Sequence, residues 1–245
     1  MYDHYNMIYK RKSMRKFNED LTVSKETLVE LERMIAALVP LDPSISTKIK
    51  LVDREETTAK RGSHCLLFYS ERKPHYLLNA GYLLEQIDLF LTSRNIGVCW
   101  YALAKPLDTE SEDLDYVILL AFGQSEDKAF RTSTKAFKRK PLDFIWEGNL
   151  DQTIGQVVRL TPSACNTQPW RIKSTENVLT VYRATDIKSF IPASKLPYYN
   201  SIDMGICLYF LESALHHHDH AFERQLFTEA NEDNSLIPIA RYNLS

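Results

Sequence analysis

Nine consecutive residues, Pro162-Ser163-Ala164-Cys165-Asn166-Thr167-Gln168-Pro169-Trp170, gather hydroxyl and amide side chains directly after an apolar segment. Ser163 offers a hydroxyl, and Asn166 and Gln168 offer amides, groups that both donate to and accept from the edge of a polar heterocycle. The same residue types bond to their own backbone in turns, so a capped loop is the plain alternative. A second group is Arg11-Lys12-Ser13-Met14-Arg15-Lys16-Phe17. Two arginines four apart, with a serine between them, supply positive charge and a hydroxyl that suit a phosphate or a carbonyl and ribityl group. Solvated basic pairs at a helix end share that pattern.

The elements that must position these residues are legible from spacing. Ile154, Val157, Val158 and Leu160 recur at helical intervals, and Pro162 cannot continue a helix and disfavours helical geometry in Thr161. Pro169 pushes Gln168 into an extended conformation, and Trp170 opens an alternating run, WRIKS, that predicts a strand. The polar cluster therefore lies at a helix-to-strand corner. A similar order occurs earlier in the chain. Ser24 caps a helix over 24–38 carrying Leu28, Leu31, Met34, Ile35 and Leu38, which ends before Pro40.

Strands follow over 48–52 and 64–69 in the first case, and over 170–174 and 178–183 in the second. Long apolar helices come next, one opened by Asn79-Ala80-Gly81 and the other by Asp203-Met204-Gly205. Glycines so placed let a neighbouring backbone approach closely. A further strand is expected over 116–122. The repeated order implies an α+β chain of two pseudo-symmetric halves, 1–146 and 147–245, imitating a two-fold dimer with its ligand at the junction. The copies differ at the corners. The first has Val39-Pro40-Leu41-Asp42-Pro43-Ser44 where the second has the Ser/Asn/Gln loop, and nothing like RKSMR precedes the second helix.

Composition narrows the partners. The chain has 245 residues, 44% hydrophobic and 25% charged, with a net charge of −2, so a nucleic-acid or polyanion partner is not expected. No apolar run approaches the roughly 20 residues of a membrane span, and the polar opening is not a secretory signal, which makes the cytoplasm the expected compartment. Cys65, Cys99, Cys165 and Cys207 lack CxxC spacing, and three lie among apolar residues, which favours reduced thiols over disulfides or zinc. His216 and His220 are four apart, but at a helix end they read as solvated histidines complementing the helix dipole, and no metal is expected.

Together the two motifs resemble those of the FMN-dependent nitroreductases. RKSMRKF is similar to the opening R-R-S-x-R-x-F of that family, and PSACNTQPW to its P-S-x-x-N-x-Q-P-W. Residues 77–100 (LLNAGYLLEQIDLFLTSRNIGVCW) and 138–148 (KRKPLDFIWEG) resemble a subgroup in which both halves of the usual dimer lie in one polypeptide. The resemblance implies a nitroreductase-like α+β fold, two halves each with a mainly antiparallel sheet flanked by helices. It assigns cofactor contacts to Arg11, Lys12, Ser13 and Arg15, to Arg139 of the R-K-P-L segment, and to Pro162, Ser163, Ala164, Cys165 and Asn166. Gly97-Val98-Cys99-Trp100 matches a loop facing the isoalloxazine, which adds Cys99 and Trp100. Gln168 is expected to support the loop.

Each half keeps one of two complementary components, which implies one FMN per chain. The implied activity is ping-pong transfer of a hydride from NADPH or NADH, through the flavin, to a small electron acceptor of the nitroaromatic or quinone type. No side chain is expected to act as acid, base or nucleophile, while Arg15 is the candidate for electrostatic stabilisation. The alternative is a non-catalytic flavin store or sensor. A fused pseudo-dimer needs no partner, so a monomer is expected, with a homodimer as the other possibility.

Overall fold

The computed structural model describes residues 4–108, 113–125, 129–228 and 234–245. In chain order it runs α1 (Met7–Lys10), α2 (Lys25–Ala36), β1 (Thr47–Asp53), β2 (His64–Ser70), α3 (Tyr76–Ser93), β3 (Ile96–Trp100) and β4 (Asp115–Gln124). The remainder runs α4 (Leu142–Ile145), β5 (Trp146–Gly148), α5 (Gln152–Val158), β6 (Trp170–Ser174), β7 (Val178–Ala184), α6 (Leu196–His217), β8 (Phe222–Leu226) and β9 (Leu236–Leu244).

Local chemistry sets the helix starts. Ser24 accepts a hydrogen bond from the Thr27 N–H at 3.1 Å, and Asp151 accepts from Thr153 at 2.8 Å. Caps of this kind contribute about 1 kcal/mol each. The helix expected to open at Asp203 starts seven residues earlier, at Leu196. Pro197 is the reason: in a first helical turn its missing N–H costs nothing and its fixed φ already suits the helix. The segment Gly97–Trp100, expected as a loop, is strand β3, paired antiparallel to β4 from Ile96↔Gln124 to Trp100↔Leu120.

Two sheets result. One has the order β1-β2-β4-β3 and is antiparallel throughout. The other has the order β5-β6-β7-β9-β8, antiparallel except where the edge strand β5 joins β6. Leaving β5 aside, the order of first, second, fourth and third strand is the same in both, and in each a long helix links the second strand to the third. The chain divides into two compact units. One comprises the residues up to Tyr76 together with Leu83–Ala136; the other comprises Leu77–Tyr82 and the residues from Phe137 onward.

In the first unit β2 is buried along nearly its whole length, and Cys65, Leu67 and Tyr69 pack with Ala59, Ala104, Leu119 and Ala121. In the second, Trp170, Leu179, Val181 and Tyr242 are fully buried beside the apolar length of α6. Gly81 and Gly205 do what their positions in the sequence suggested. A Cβ at Gly81 would collide with the Ile202 carbonyl, and one at Gly205 with the Leu78 carbonyl, so the first turns of α3 lie backbone to backbone on α6. Near the far end of α6, Glu212 accepts from the hydroxyls of Tyr82 and Tyr242, both at 2.7 Å, and from Arg224 at 2.6 Å, a buried carboxylate with a cation and two further donors.

Candidate functional site

In the first unit the Arg11–Phe17 segment is laid along β3. Ser13 forms a parallel bridge to Val98, and the Met14 N–H donates to the Val98 carbonyl at 2.8 Å. Met14 is buried against Gly97, while Lys12, Ser13 and Arg15 are exposed. Arg11 turns the other way. It is 1% exposed, and its guanidinium donates twice to Asp88 Oδ2, at 2.8 and 3.1 Å, with Glu85 Oε1 3.5 Å from Nε. Trp100 Nε1 donates to the same Asp88 oxygen at 3.0 Å.

Burial opposes the charge on Arg11, yet Asp88 and Glu85 outweigh it and hold its pKa above the ordinary value. Burial pushes the Glu85 carboxyl well above the usual range, Asp88 adding to the push and Arg11 opposing it. The arrangement is one guanidinium paired with Asp88, and a second acid, Glu85, that burial pushes toward its neutral form. Arg131 closes it from outside by donating to the Arg11 carbonyl, and burial together with the Arg11 charge pushes its pKa down to about 10. Lys12 donates to the Ala129 carbonyl at 3.0 Å.

In the second unit α5 ends at Val158, and after Pro162 the chain makes a single 3-10 turn, Ala164–Asn166, before β6. Cys165, Asn166 and Gln168 all take left-handed backbone, with φ of 49°, 57° and 52°; Gln168, expected to be extended before Pro169, is instead held there by its N–H bond to Ser163. Left-handed backbone at non-glycine residues costs free energy and persists only where surrounding bonds over-determine it. Those bonds are present. The Ser163 hydroxyl accepts from the Gln168 N–H at 2.9 Å, and Gln168 accepts from the Lys140 N–H at 2.7 Å. Asn166 donates to the Lys138 carbonyl at 3.0 Å and accepts from Arg139 at 2.9 Å, and Arg139 also donates to the Leu160 carbonyl at 3.0 Å. From α6, Asp203 accepts from the Ala164 N–H at 2.9 Å.

The residues expected from sequence thus fall into two sets. Arg11, Lys12, Ser13, Arg15, Cys99 and Trp100 come together around β3, although Cys99 is buried, Arg11 is committed to Asp88, and Trp100 joins that same cluster. Pro162 to Asn166 come together with Arg139, with Cys165 and Asn166 exposed and Pro162, Ser163 and Ala164 partly so. Gln168 is buried at 3% and supports the loop. Sequence reasoning missed Glu85, Asp88 and Asp203. Their signal was available: an acid inside an otherwise apolar helical run, as in LLEQIDLFL and SIDMGICLYF, is a buried charge that must meet a partner.

A mixed α+β chain with two antiparallel-rich sheets flanked by helices has the fold of nitroreductase-like proteins. Residues 3–215 match the family described as "Putative TM nitroreductase", and the chain belongs to that family. A solved "putative nitroreductase" of Thermotoga maritima MSB8 is similar over 99% of this chain and 93% of its own, with 22% identity and a TM-score of 0.65. An FMN-dependent nitroreductase of Clostridium difficile R20291 is similar over 54% of this chain and 93% of its own, with 15% identity and a TM-score of 0.44. A search of curated proteins gives no match. Among the described residues no helix is long and apolar enough to cross a membrane.

Proposed function

We propose that the chain is an FMN-binding oxidoreductase that takes a hydride from NADPH or NADH and passes it to a small acceptor of the nitroaromatic or quinone type. The observation that carries this reading is the extent of the family match, which spans both candidate segments, residues 11–17 and 162–170. The donor set suits the cofactor. Lys12 and Arg15 are exposed cations flanking the Ser13 hydroxyl, and the second loop presents a constrained backbone braced by Arg139.

When bound, FMN would supply the hydride chemistry. Lys12 and Ser13 would hold the phosphate and ribityl groups, and Arg15 would place positive charge at the pyrimidine edge. Arg139 would add charge for the phosphate, while Pro162, Ser163, Ala164, Cys165 and Asn166 would lie against the ring system. Arg11 would act from behind, its charge balancing Asp88 so that the segment keeps its course along β3. Each motif occurs once, which supports one FMN per chain; a cytoplasmic monomer completes the reading.

The test is the visible spectrum of the purified full chain. A yellow protein with close to one FMN per polypeptide that bleaches anaerobically on adding NADPH or NADH is the expected result. A yellow protein that does not bleach would favour flavin storage or sensing over turnover. A colourless protein that takes up no added FMN would defeat both readings.

A further inference from the structure

Asp203 lies two turns into α6, directly behind the Pro162–Asn166 loop. It is 4% exposed, and it shares a small polar chain with Thr167 and Asn200, 5% and 1% exposed. Asp203 Oδ1 accepts from the Ala164 N–H at 2.9 Å. The Thr167 hydroxyl oxygen stands 3.1 Å from Asn200 Oδ1 and 3.4 Å from Asp203 Oδ2. A threonine hydroxyl carries one hydrogen, so it cannot serve both acceptors. With Asp203 ionised, either its Oδ2 or Asn200 Oδ1 is left without a donor, and the buried negative charge stands on a backbone N–H and at most one hydroxyl, which is costly.

A proton on Asp203 Oδ2 removes the conflict. The Oδ2–H donates to Thr167, the Thr167 hydroxyl donates to Asn200 as the shorter distance suggests, and Oδ1 goes on accepting from Ala164. Both Asp203 oxygens, the Thr167 hydroxyl and Asn200 Oδ1 then have partners. We propose that Asp203 works as a neutral carboxylic acid that positions the Pro162–Asn166 loop for flavin, and that loss of its proton releases the loop and weakens flavin retention. This rests on the flavin reading above.

The surroundings agree. Burial pushes Asp203 up to about 8, against the hydrogen bonds that Ala164 and Thr167 would give its ionised form. The titratable group facing it is the Cys207 thiol, one turn further along α6, which burial first and Asp203 second push up, so it stays neutral. Ala164 and Thr167 on the loop, Thr161 beside Cys207, and Asn200 on α6 are uncharged. In the unfolded chain an aspartate titrates near pH ~4. The raised folded value means that the stabilisation by the acid is complete below that pH and is lost as pH rises through about 8.

The experiment uses the full chain with FMN as the probe, titrated into wild type, Asp203→Asn and Asp203→Ala across neutral to alkaline pH. Hydrogen exchange at the Ala164 amide is followed without flavin. Wild-type Kd should rise by up to about tenfold between pH ~7 and pH ~9. Asp203→Asn, whose amide donates to Thr167 while its carbonyl accepts from Ala164, should match wild type at neutral pH and stay flat. Asp203→Ala should bind weakly throughout and lose Ala164 protection.

The proposal is overturned if Asp203→Asn weakens binding as much as Asp203→Ala, because the charge would then be what holds the loop. It is equally overturned if wild type shows no pH dependence in either readout. Should no variant take up FMN while Ala164 protection still follows this pattern, the flavin reading fails and the proton-held loop stands.

Discussion

The two segments that carry the candidate site are anchored by opposite means. Behind Arg11–Phe17, α3 presents Glu85 and Asp88, and the anchor is a buried pair in which a guanidinium from the segment itself meets Asp88, with Glu85 beside it. Behind Pro162–Asn166, α6 presents Asp203, and the anchor is a set of hydrogen bonds to a backbone N–H and a hydroxyl, with no cation in it. The first anchor depends on charge; the second is complete only when its acid is neutral. Glu212 shows that α6 can also set a buried acid among strong donors, because one cation and two phenols donate to it. What separates Asp203 from Glu212 on one helix is therefore partner chemistry rather than depth.

The strongest way to break this comparison is to take the guanidinium out of the first anchor. Arg11→Ala leaves the fully buried Asp88 without its counter-charge, the Trp100 indole N–H being its remaining side-chain donor among the described residues. Breaking a buried pair from one side costs about 3–5 kcal/mol, because a charge is left uncompensated. Urea unfolding should show that loss, and Arg11→Met combined with Asp88→Leu should recover part of it. If Arg11→Ala leaves the unfolding midpoint unchanged, the segment is held by its strand bridge to Val98 instead. The same variant should also lose FMN, but as a consequence of the displaced segment.

A smaller effect is expected on the loop side. Asn166→Ala removes one hydrogen bond to the Lys138 carbonyl and one from Arg139, at an exposed position. Bonds of this kind contribute about 1–2 kcal/mol net to the order of the loop, so the FMN Kd should rise about tenfold as the loop loosens. Fluorescence titration separates the two outcomes. An unchanged Kd would make Asn166 a turn residue only.

How much of this was legible follows from where the partners lie in the chain. The Ser24 and Asp151 starts, strands β1, β2, β6 and β7, and the helix-to-strand corner follow from local pattern, because spacing and proline act within a few residues. Strands β3, β5, β8 and β9 were not expected as strands. The first two are short, and pairing with β4 and β6 rather than alternation makes them strands. The role of Arg11 was hidden for the same reason. Its type and motif read as a cofactor contact or a solvated cation, and only contact with Asp88, 77 positions away, turns it inward. Asp203 was visible as an acid in an apolar helix, but its partner, the loop 36–39 residues upstream, was not.

The smallest expected effect concerns the loop backbone itself, and it sharpens the contrast between the anchors. None of residues 11–17 has a positive φ, whereas Cys165, Asn166 and Gln168 all do. The bridge along β3 asks nothing unusual of its backbone, so its anchor supplies position alone. The anchor on α6 must also hold a strained turn. Cys165 is the residue least suited to it: Asn tolerates left-handed geometry and Gln168 is buried with bonds at both ends, but Cys165 is exposed. Cys165→Gly should therefore relieve about 1–2 kcal/mol of steric cost and give back about 0.5–1 kcal/mol through the greater freedom of the unfolded chain. A net gain of about 0–1.5 kcal/mol in denaturant unfolding is expected. A loss of stability instead would mean that the thiol contributes to the loop, as a redox or packing group, more than its backbone geometry costs.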